Sequence, residues 1–172
     1  LRLSEERING MAGGVRQVAA LPDPVGRVLD GRTLKNGLQI EKVTVPMGVI
    51  GIIFEARPNV TSDAAALCLK AGSAVILRGG KEAFHSNMAI ARVMRDALEK
   101  AGFPRDCVAL VEDTTRQSAT ELMQLSDYLD VLIPRGGAGL IKSVVENAKV
   151  PVIETCVGNC CLLYTSDAAD DL

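Results

Sequence analysis

The sequence predicts an α/β fold: a doubly wound parallel sheet with a small β-excursion. Three observations predict it. Short apolar segments alternate with helical periodicity over short loops, as a sheet with helical crossovers requires. The first of them, Gly48-Val49-Ile50-Gly51-Ile52-Ile53-Phe54, is apolar without a break, the pattern of a strand covered on both faces. Twice, at residues 74–81 and 130–139, such a strand runs directly into Arg-Gly-Gly and then a helix.

The elements follow in order. Residues 4–20 predict a helix, with Ile8, Met11, Val15 and Val18 at helical spacing. The run Leu21-Pro22-Asp23-Pro24 ends it. Alternation of Leu38, Ile40, Val43 and Val45 after the turn Lys35-Asn36-Gly37 predicts a strand with one wet face, part of a hairpin. Behind the first buried strand, residues 55–60 read as a loop. Thr61 or Ser62 then caps a helix that Gly72 ends. Residues 74–77 form the next strand. The helix 84–101 carries Met88, Ala91, Met94 and Leu98 on one stripe. Strand 108–111, helix 115–125, strand 129–133, helix 139–148 and a short strand 150–153 complete the pattern.

The chain has 172 residues, 48% of them hydrophobic, enough for one sizeable core. Aromatics make up only 3%, so aliphatic and small residues must build it. Nineteen basic residues against 21 acidic give a net charge of −2, without the basic footprint that nonspecific nucleic-acid binding needs. No segment approaches the ~20 apolar residues of a membrane span. No signal peptide is read at the start, and a cytoplasmic location is expected. Five cysteines, Cys68, Cys107, Cys156, Cys160 and Cys161, with a single histidine, His85, favour free thiols over disulfides or a metal site. Cys68 and Cys107 read as core residues, and no metal is expected.

In a doubly wound sheet, ligands sit beyond the carboxyl ends of the strands. The chemically interesting residues fall there. In Arg78-Gly79-Gly80-Lys81 the glycines let backbone N–H groups approach an anion, and the two cations suit the 2′-phosphate of NADP over the bare ribose of NAD. The alternative is that the glycines only make a tight strand-to-helix turn. Arg135-Gly136-Gly137-Ala138-Gly139 has the same form and could wrap a pyrophosphate or a substrate phosphate. It is neither a Walker A loop nor G-x-G-x-x-G. Arg57-Pro58-Asn59 offers an anion-binding Arg57 and an Asn59 that either orients a carbonyl or bonds its own backbone. Glu154 ends the last strand as either a base or a solvated acid.

These segments resemble the gamma-glutamyl phosphate reductases (glutamate-5-semialdehyde dehydrogenases), a branch of the aldehyde dehydrogenase superfamily. The likeness rests on Val45-Pro46-Met47-Gly48 through Thr61, on residues 18–26, 64–70 and 75–83, on Ile133-Pro134-Arg135-Gly136-Gly137-Ala138-Gly139-Leu140-Ile141 and on Val150-Pro151-Val152-Ile153-Glu154. It implies a Rossmann-like NADP-binding domain over residues 1–160, truncated at both ends, with 27–45 as a β-excursion that helps subunits associate. It implies NADPH as cofactor and L-glutamyl 5-phosphate as substrate. A cysteine thiolate would displace phosphate, and hydride would reduce the thioester to glutamate 5-semialdehyde on the way to proline. Cofactor-binding roles fall on Arg78, Gly79, Gly80, Lys81, Gly136, Gly137 and Gly139, and substrate or phosphate roles on Arg57, Asn59 and Arg135. Glu154 and Asn59 are candidate helpers in catalysis. Glutamate 5-kinase is a candidate partner, and the full-length enzyme is expected to be a homo-oligomer.

The departures from the family are informative. The family's nucleophilic cysteine lies further downstream and none of the five here matches it, so this chain alone is expected to be inactive. Cys156 stands where the family has glycine, and residues 161–172 read as a non-native tail. Two other classes stay open: another acyl-reducing relative of the superfamily, and a nucleotide-binding module without a catalytic role.

Overall fold

The computed structural model of the chain describes residues 3–154; the readings on Cys156, Cys160, Cys161 and the segment 161–172 lie outside the described residues. Helix α1 (Glu5–Ala20) opens with Ser4 as its cap, whose Oγ accepts from the Arg7 N–H at 3.4 Å. Strands β1 (Val28–Thr33) and β2 (Gln39–Val43) then pair antiparallel as a hairpin apart from the main sheet. Gly37, at φ +85°, makes its turn. The alternation in β2 had predicted one buried face. Both faces of the hairpin are exposed, and Val45 just beyond it is 77% exposed. Period-2 patterning reports a face that can be buried, and no other described element covers this one.

The main sheet contains β3 (Val49–Phe54), β4 (Ala74–Arg78), β5 (Val108–Leu110) and β6 (Val131–Arg135), all parallel, in the order β5-β4-β3-β6. Between them run α2 (Asn59–Lys70), α3 (Phe84–Lys100) and α4 (Arg116–Gln124), with α5 (Ala138–Asn147) after β6. Side chains alternate across each strand. Ile50, Ile52 and Phe54 pack with Val75 and Leu77 against α2, where Ala65 and Cys68 are buried, and against Met94 and Leu98 of α3. Ile53 and Leu132 face the other way, toward Ala119, Leu122 and Met123 of α4 and Val144 of α5. Two cores on opposite faces of one sheet make the doubly wound arrangement that the unbroken apolar run predicts. Each fully buried Ile, Leu or Phe contributes about 1.5–3 kcal/mol relative to exposure.

Four local expectations are corrected. Helix α2 begins at Asn59, with Pro58 as a cap that supplies no side-chain bond, so Thr61 and Ser62 lie buried inside its first turns and cap nothing. Strand β6 runs two residues later than its apolar letters suggest. The Leu132 N–H points outward, to the Pro151 carbonyl. Pro134, two residues on, therefore also turns its missing donor away from β3 and fits the strand. The segment 150–153 makes only one parallel bridge, Leu132 to Val152, in place of a fifth strand. Cys107 is half-buried in a short 3₁₀ turn, Arg105–Cys107, and is not a core residue. Among the described residues no helix is long and apolar enough to cross a membrane.

Candidate functional site

Every predicted site residue lies at the carboxyl end of the parallel strands or just beyond it. Register decides which of them meet. Strand β3 pairs in parallel with β4 through Ile53–Arg78 and with β6 through Phe54–Arg135. One residue beyond β3, Glu55 is therefore flanked by both Arg-Gly-Gly turns, and it bonds to each. Its backbone carbonyl accepts from the Gly80 N–H at 3.3 Å, and its carboxylate Oε1 accepts from the Gly137 N–H at 3.2 Å. A methyl group added at Gly136 would stand 2.9 Å from that same oxygen. The second turn is thus an anion site at the N-terminus of α5, with the positive end of the helix behind it, and the chain's own carboxylate sits in it.

The first turn is built differently. Gly79 is buried, and a side chain there would run into the Phe54 ring and the Asn87 amide. Asn87 and Thr61 are themselves almost wholly buried and bonded, Thr61 Oγ1 donating to Asn87 Oδ1 at 3.0 Å. Arg78 reaches across to the loop before α4, its Nη2 donating to the carbonyls of Thr114 at 2.8 Å and Thr115 at 2.6 Å. Burial lowers its affinity for the proton, against the opposing charges of Asp113 and Glu82. Asp113 answers from the same loop. Its carboxylate accepts from the Thr115 N–H at 2.8 Å and the Thr115 hydroxyl at 2.9 Å. Those two bonds, helped by Arg78, hold it below the usual carboxylate range against some desolvation. Arg78 Nε is buried with no partner, so a bound acceptor oxygen there would satisfy it. Lys81 is exposed beside it and makes no ion pair among the described residues. The cationic pair thus fits a phosphate oxygen, with Arg78 already oriented and Lys81 exposed and in no ion pair among the described residues.

The remaining site residues are less tied together. Asn59 lies in the first turn of α2 and donates from Nδ2 to Asp63 Oδ2 at 3.1 Å, a contact neither sequence reading anticipated. Arg57, Arg135 and Gly139 are exposed. Glu154 is exposed past the Val152 bridge and makes no hydrogen bond or ion pair with another described residue. Of the described thiols, Cys68 is buried, which pushes it from 9.0 up to about 11, the opposite of an activated nucleophile. No cluster of three or more His, Cys, Asp or Glu able to hold a metal occurs among the described residues. The sequence reading missed Glu55 as a bridge and Asn87 as a floor. A carboxylate directly after the most apolar strand was the available signal for the first; a lone amide inside an amphipathic helix gives none for the second.

Known proteins resemble this arrangement closely. Residues 2–161 match the aldehyde dehydrogenase family. The gamma-glutamyl phosphate reductase of Carboxydothermus hydrogenoformans is 62% identical over 168 residues, which is 98% of this chain and 40% of that protein. That of Moorella thermoacetica is 60% identical over 172 residues, all of this chain and 41% of its own length. The crystal structure of the Thermotoga maritima gamma-glutamyl phosphate reductase superposes with a TM-score of 0.90 at 46% identity, covering 92% of this chain and 38% of that one. The chain spans about 40% of the length of the relatives it matches.

Proposed function

Since the chain belongs to the aldehyde dehydrogenase family, we propose that it is the NADPH-binding part of a reductase that converts L-glutamyl 5-phosphate to glutamate 5-semialdehyde and phosphate, on the route to proline. The observation that carries this reading is 62% identity across 98% of the chain with a protein of that name. The geometry supports it with two anion-compatible turns at the carboxyl ends of β4 and β6, the parallel strands that flank β3.

NADPH, when bound, supplies the hydride that reduces the acyl group. Arg78 and Lys81 would hold its 2′-phosphate, at a turn whose Gly79 and Gly80 lie close against Phe54 and Glu55. Gly136, Gly137 and Gly139 leave the start of α5 open to the pyrophosphate, and Glu55 must yield the Gly137 N–H when it arrives. Arg57, Asn59 and Arg135 serve the substrate side, with Glu154 as a helper. The thiol that takes the acyl group is not Cys68, which is buried and held protonated. Residues 1–160 act as the cofactor domain, and the exposed apolar residues of the β1–β2 hairpin support subunit association in a cytoplasmic homo-oligomer, with glutamate 5-kinase as a candidate partner.

The test is titration of the chain with NADPH and with NADH, followed by nicotinamide fluorescence. Changing Arg78 and Lys81 together to Ala is expected to weaken NADPH binding by about tenfold or more, as loss of charge-assisted bonds to one phosphate predicts, and to leave NADH nearly unchanged. Equal losses for both cofactors would sink the 2′-phosphate assignment.

A further inference from the structure

The sequence holds two Asn-Gly pairs, Asn9-Gly10 and Asn36-Gly37, and the fold treats them oppositely. Both asparagines are exposed. In such a pair the backbone nitrogen of the glycine can attack the asparagine Cγ, because no side chain on the glycine hinders closure of the ring. Closure also needs that nitrogen released from its hydrogen bond, so the backbone decides whether the pair reacts. At Asn9 it is locked. Gly10 lies inside α1, where its N–H belongs to the helical ladder, and α1 is capped by Ser4 and packs along α2. Freeing Gly10 means unwinding the first half of a packed helix.

At Asn36 the corresponding bond is weakly held. The tip of the β1–β2 hairpin is a turn in which the Gly37 N–H donates to the Leu34 carbonyl at 2.9 Å and the Leu34 N–H to the Leu38 carbonyl at 2.8 Å. No described element backs this turn, and every residue of β1 and β2 is exposed. The side-chain bonds that pin the hairpin lie at its other end. There Thr44 Oγ1 donates to the Pro24 carbonyl at 2.6 Å and accepts from the Arg27 N–H at 2.9 Å. A two-stranded hairpin uncovered on both faces is marginal in water, so its tip opens at little cost. The Asn36 carboxamide is meanwhile held ready. Its Oδ1 accepts from the Leu38 N–H at 3.1 Å, a bond local enough to outlast opening of the strands. That donor faces the oxygen on which negative charge builds as the nitrogen attacks. An added methyl at Gly37 would meet nothing within 4 Å, so the space around the nucleophile is open.

We infer that Asn36 is a self-modification site, converted to aspartate and isoaspartate through a succinimide while the hairpin stands uncovered. The Gly37 nitrogen gives its proton to solvent base and bonds to Asn36 Cγ. The Cγ–Nδ2 bond breaks, and Nδ2 leaves as ammonia with a proton returned by solvent. Water then opens the ring. Cleavage at Cγ gives aspartate, and cleavage at the main-chain carbonyl carbon gives isoaspartate, whose main chain runs through Cβ and Cγ. One water is consumed, one ammonia is released and nothing is oxidised or reduced. Either product adds a negative charge at the tip. Isoaspartate also adds one carbon to the main chain between Leu34 and Gly37, so the turn that sets the Thr33–Gln39 register no longer closes in the same way. The change falls on the hairpin proposed for subunit association and is independent of the cofactor reading.

The experiment holds the full chain in mildly alkaline buffer, beside the same chain in concentrated urea. Both asparagines are followed by peptide mass spectrometry, with aspartyl and isoaspartyl products separated. In buffer, Asn36 is expected to convert about tenfold or more faster than Asn9, the protection of a packed helix over a turn that frays. In urea the ratio should fall to about one, because both pairs then share the unfolded backbone. Conversion at Asn36 should quicken with hydroxide, since the attacking nitrogen must lose its proton. Asn36→Gln, which would need a larger ring, should silence the hairpin and leave Asn9 unchanged. Equal rates in buffer overturn the proposal, because the fold would then make no distinction between the pairs. An Asn36 that converts only in urea also overturns it, because the Gly37–Leu34 bond would then protect the turn.

Discussion

The two Arg-Gly-Gly turns have the same letters and opposite constructions. At the first, Gly79 is buried against Phe54 and Asn87, the Gly80 N–H is spent on the Glu55 carbonyl, and Arg78 is anchored to the carbonyls of Thr114 and Thr115. At the second, residues 135–139 are exposed, and the one N–H bonded by a side chain is held by a carboxylate, a group that a ligand anion could replace. Glycine after a strand therefore has two separable uses. It lets the chain pass close to its own core, or it lets a ligand pass close to the chain. A motif read along one strand does not distinguish them, because the distinction lies in what the neighbouring strands bring alongside.

The largest effect that would break the contrast is expected at the first turn. Gly79→Ala forces a methyl group into the Phe54 ring and the Asn87 amide, above the buried Thr61–Asn87 bond. Overpacking of this kind costs about 1–3 kcal/mol. Gly137→Ala places its methyl 3.7 Å from Glu55 Oε1, ordinary contact, at a backbone φ of −69° that any residue adopts. Its cost should stay within about 0.5 kcal/mol. Urea unfolding of both variants checks the pair, and equal destabilisation would mean that the two turns are not differently built.

How much of this was legible follows from the same contrast. The unbroken apolar run of β3 announced a strand covered on both sides, and the two cores meet on it. The alternation with helices announced the parallel order. Parallel register was not legible: Glu55 and Gly137 are 82 positions apart, and only the pairing of Phe54 with Arg135 brings them together. The start of α2 was misread because its cap, Pro58, acts through its fixed φ and not through a side-chain oxygen. The β1–β2 hairpin was read correctly as a hairpin but given a buried face, since alternation records the intention to bury and not the partner. The surroundings of Asn59 were half legible: Arg57 and Asn59 stood out beside a proline, whereas Asp63, which accepts from Asn59 Nδ2, reads as an ordinary helix charge.

Glu55 sharpens the contrast next, with a smaller effect on stability and an opposite one on binding. Its carboxylate at the N-terminus of α5 contributes about 0.3–1 kcal/mol, the range for a single charge at a helix end. Glu55→Gln should lose part of that. The same change removes a negative charge from the place proposed for the cofactor pyrophosphate, so NADPH and NADH should both bind several-fold more tightly, by the roughly 1 kcal/mol of repulsion relieved at partly exposed sites. The common gain separates this position from Arg78 and Lys81, whose effect is confined to NADPH. Weaker binding of both cofactors would mean that Glu55 assists the ligand instead of holding its place.

The smallest expected effect concerns acid. Asp113 is held below the usual carboxylate range chiefly by the Thr115 N–H and hydroxyl, with Arg78 adding attraction. A carboxylate whose affinity for protons is lower in the fold than in the unfolded chain stabilises the fold above its unfolded value, near 3.8, and loses that contribution as pH falls through its folded value. Protonation releases Thr115, and Thr115 carries both the carbonyl that receives Arg78 and the hydroxyl that accepts from the Ser118 N–H to cap α4. Acid should therefore loosen the first turn through its anchor. In Asp113→Asn the carboxylate is gone, so the drop in urea midpoint between pH 7 and pH 3 should be shallower than in the parent chain, with less stability to begin with at pH 7. An identical acid slope in the two proteins would mean that the Asp113–Thr115–Arg78 chain carries no measurable part of the turn's rigidity, and that Gly79 and the Asn87 floor hold it alone.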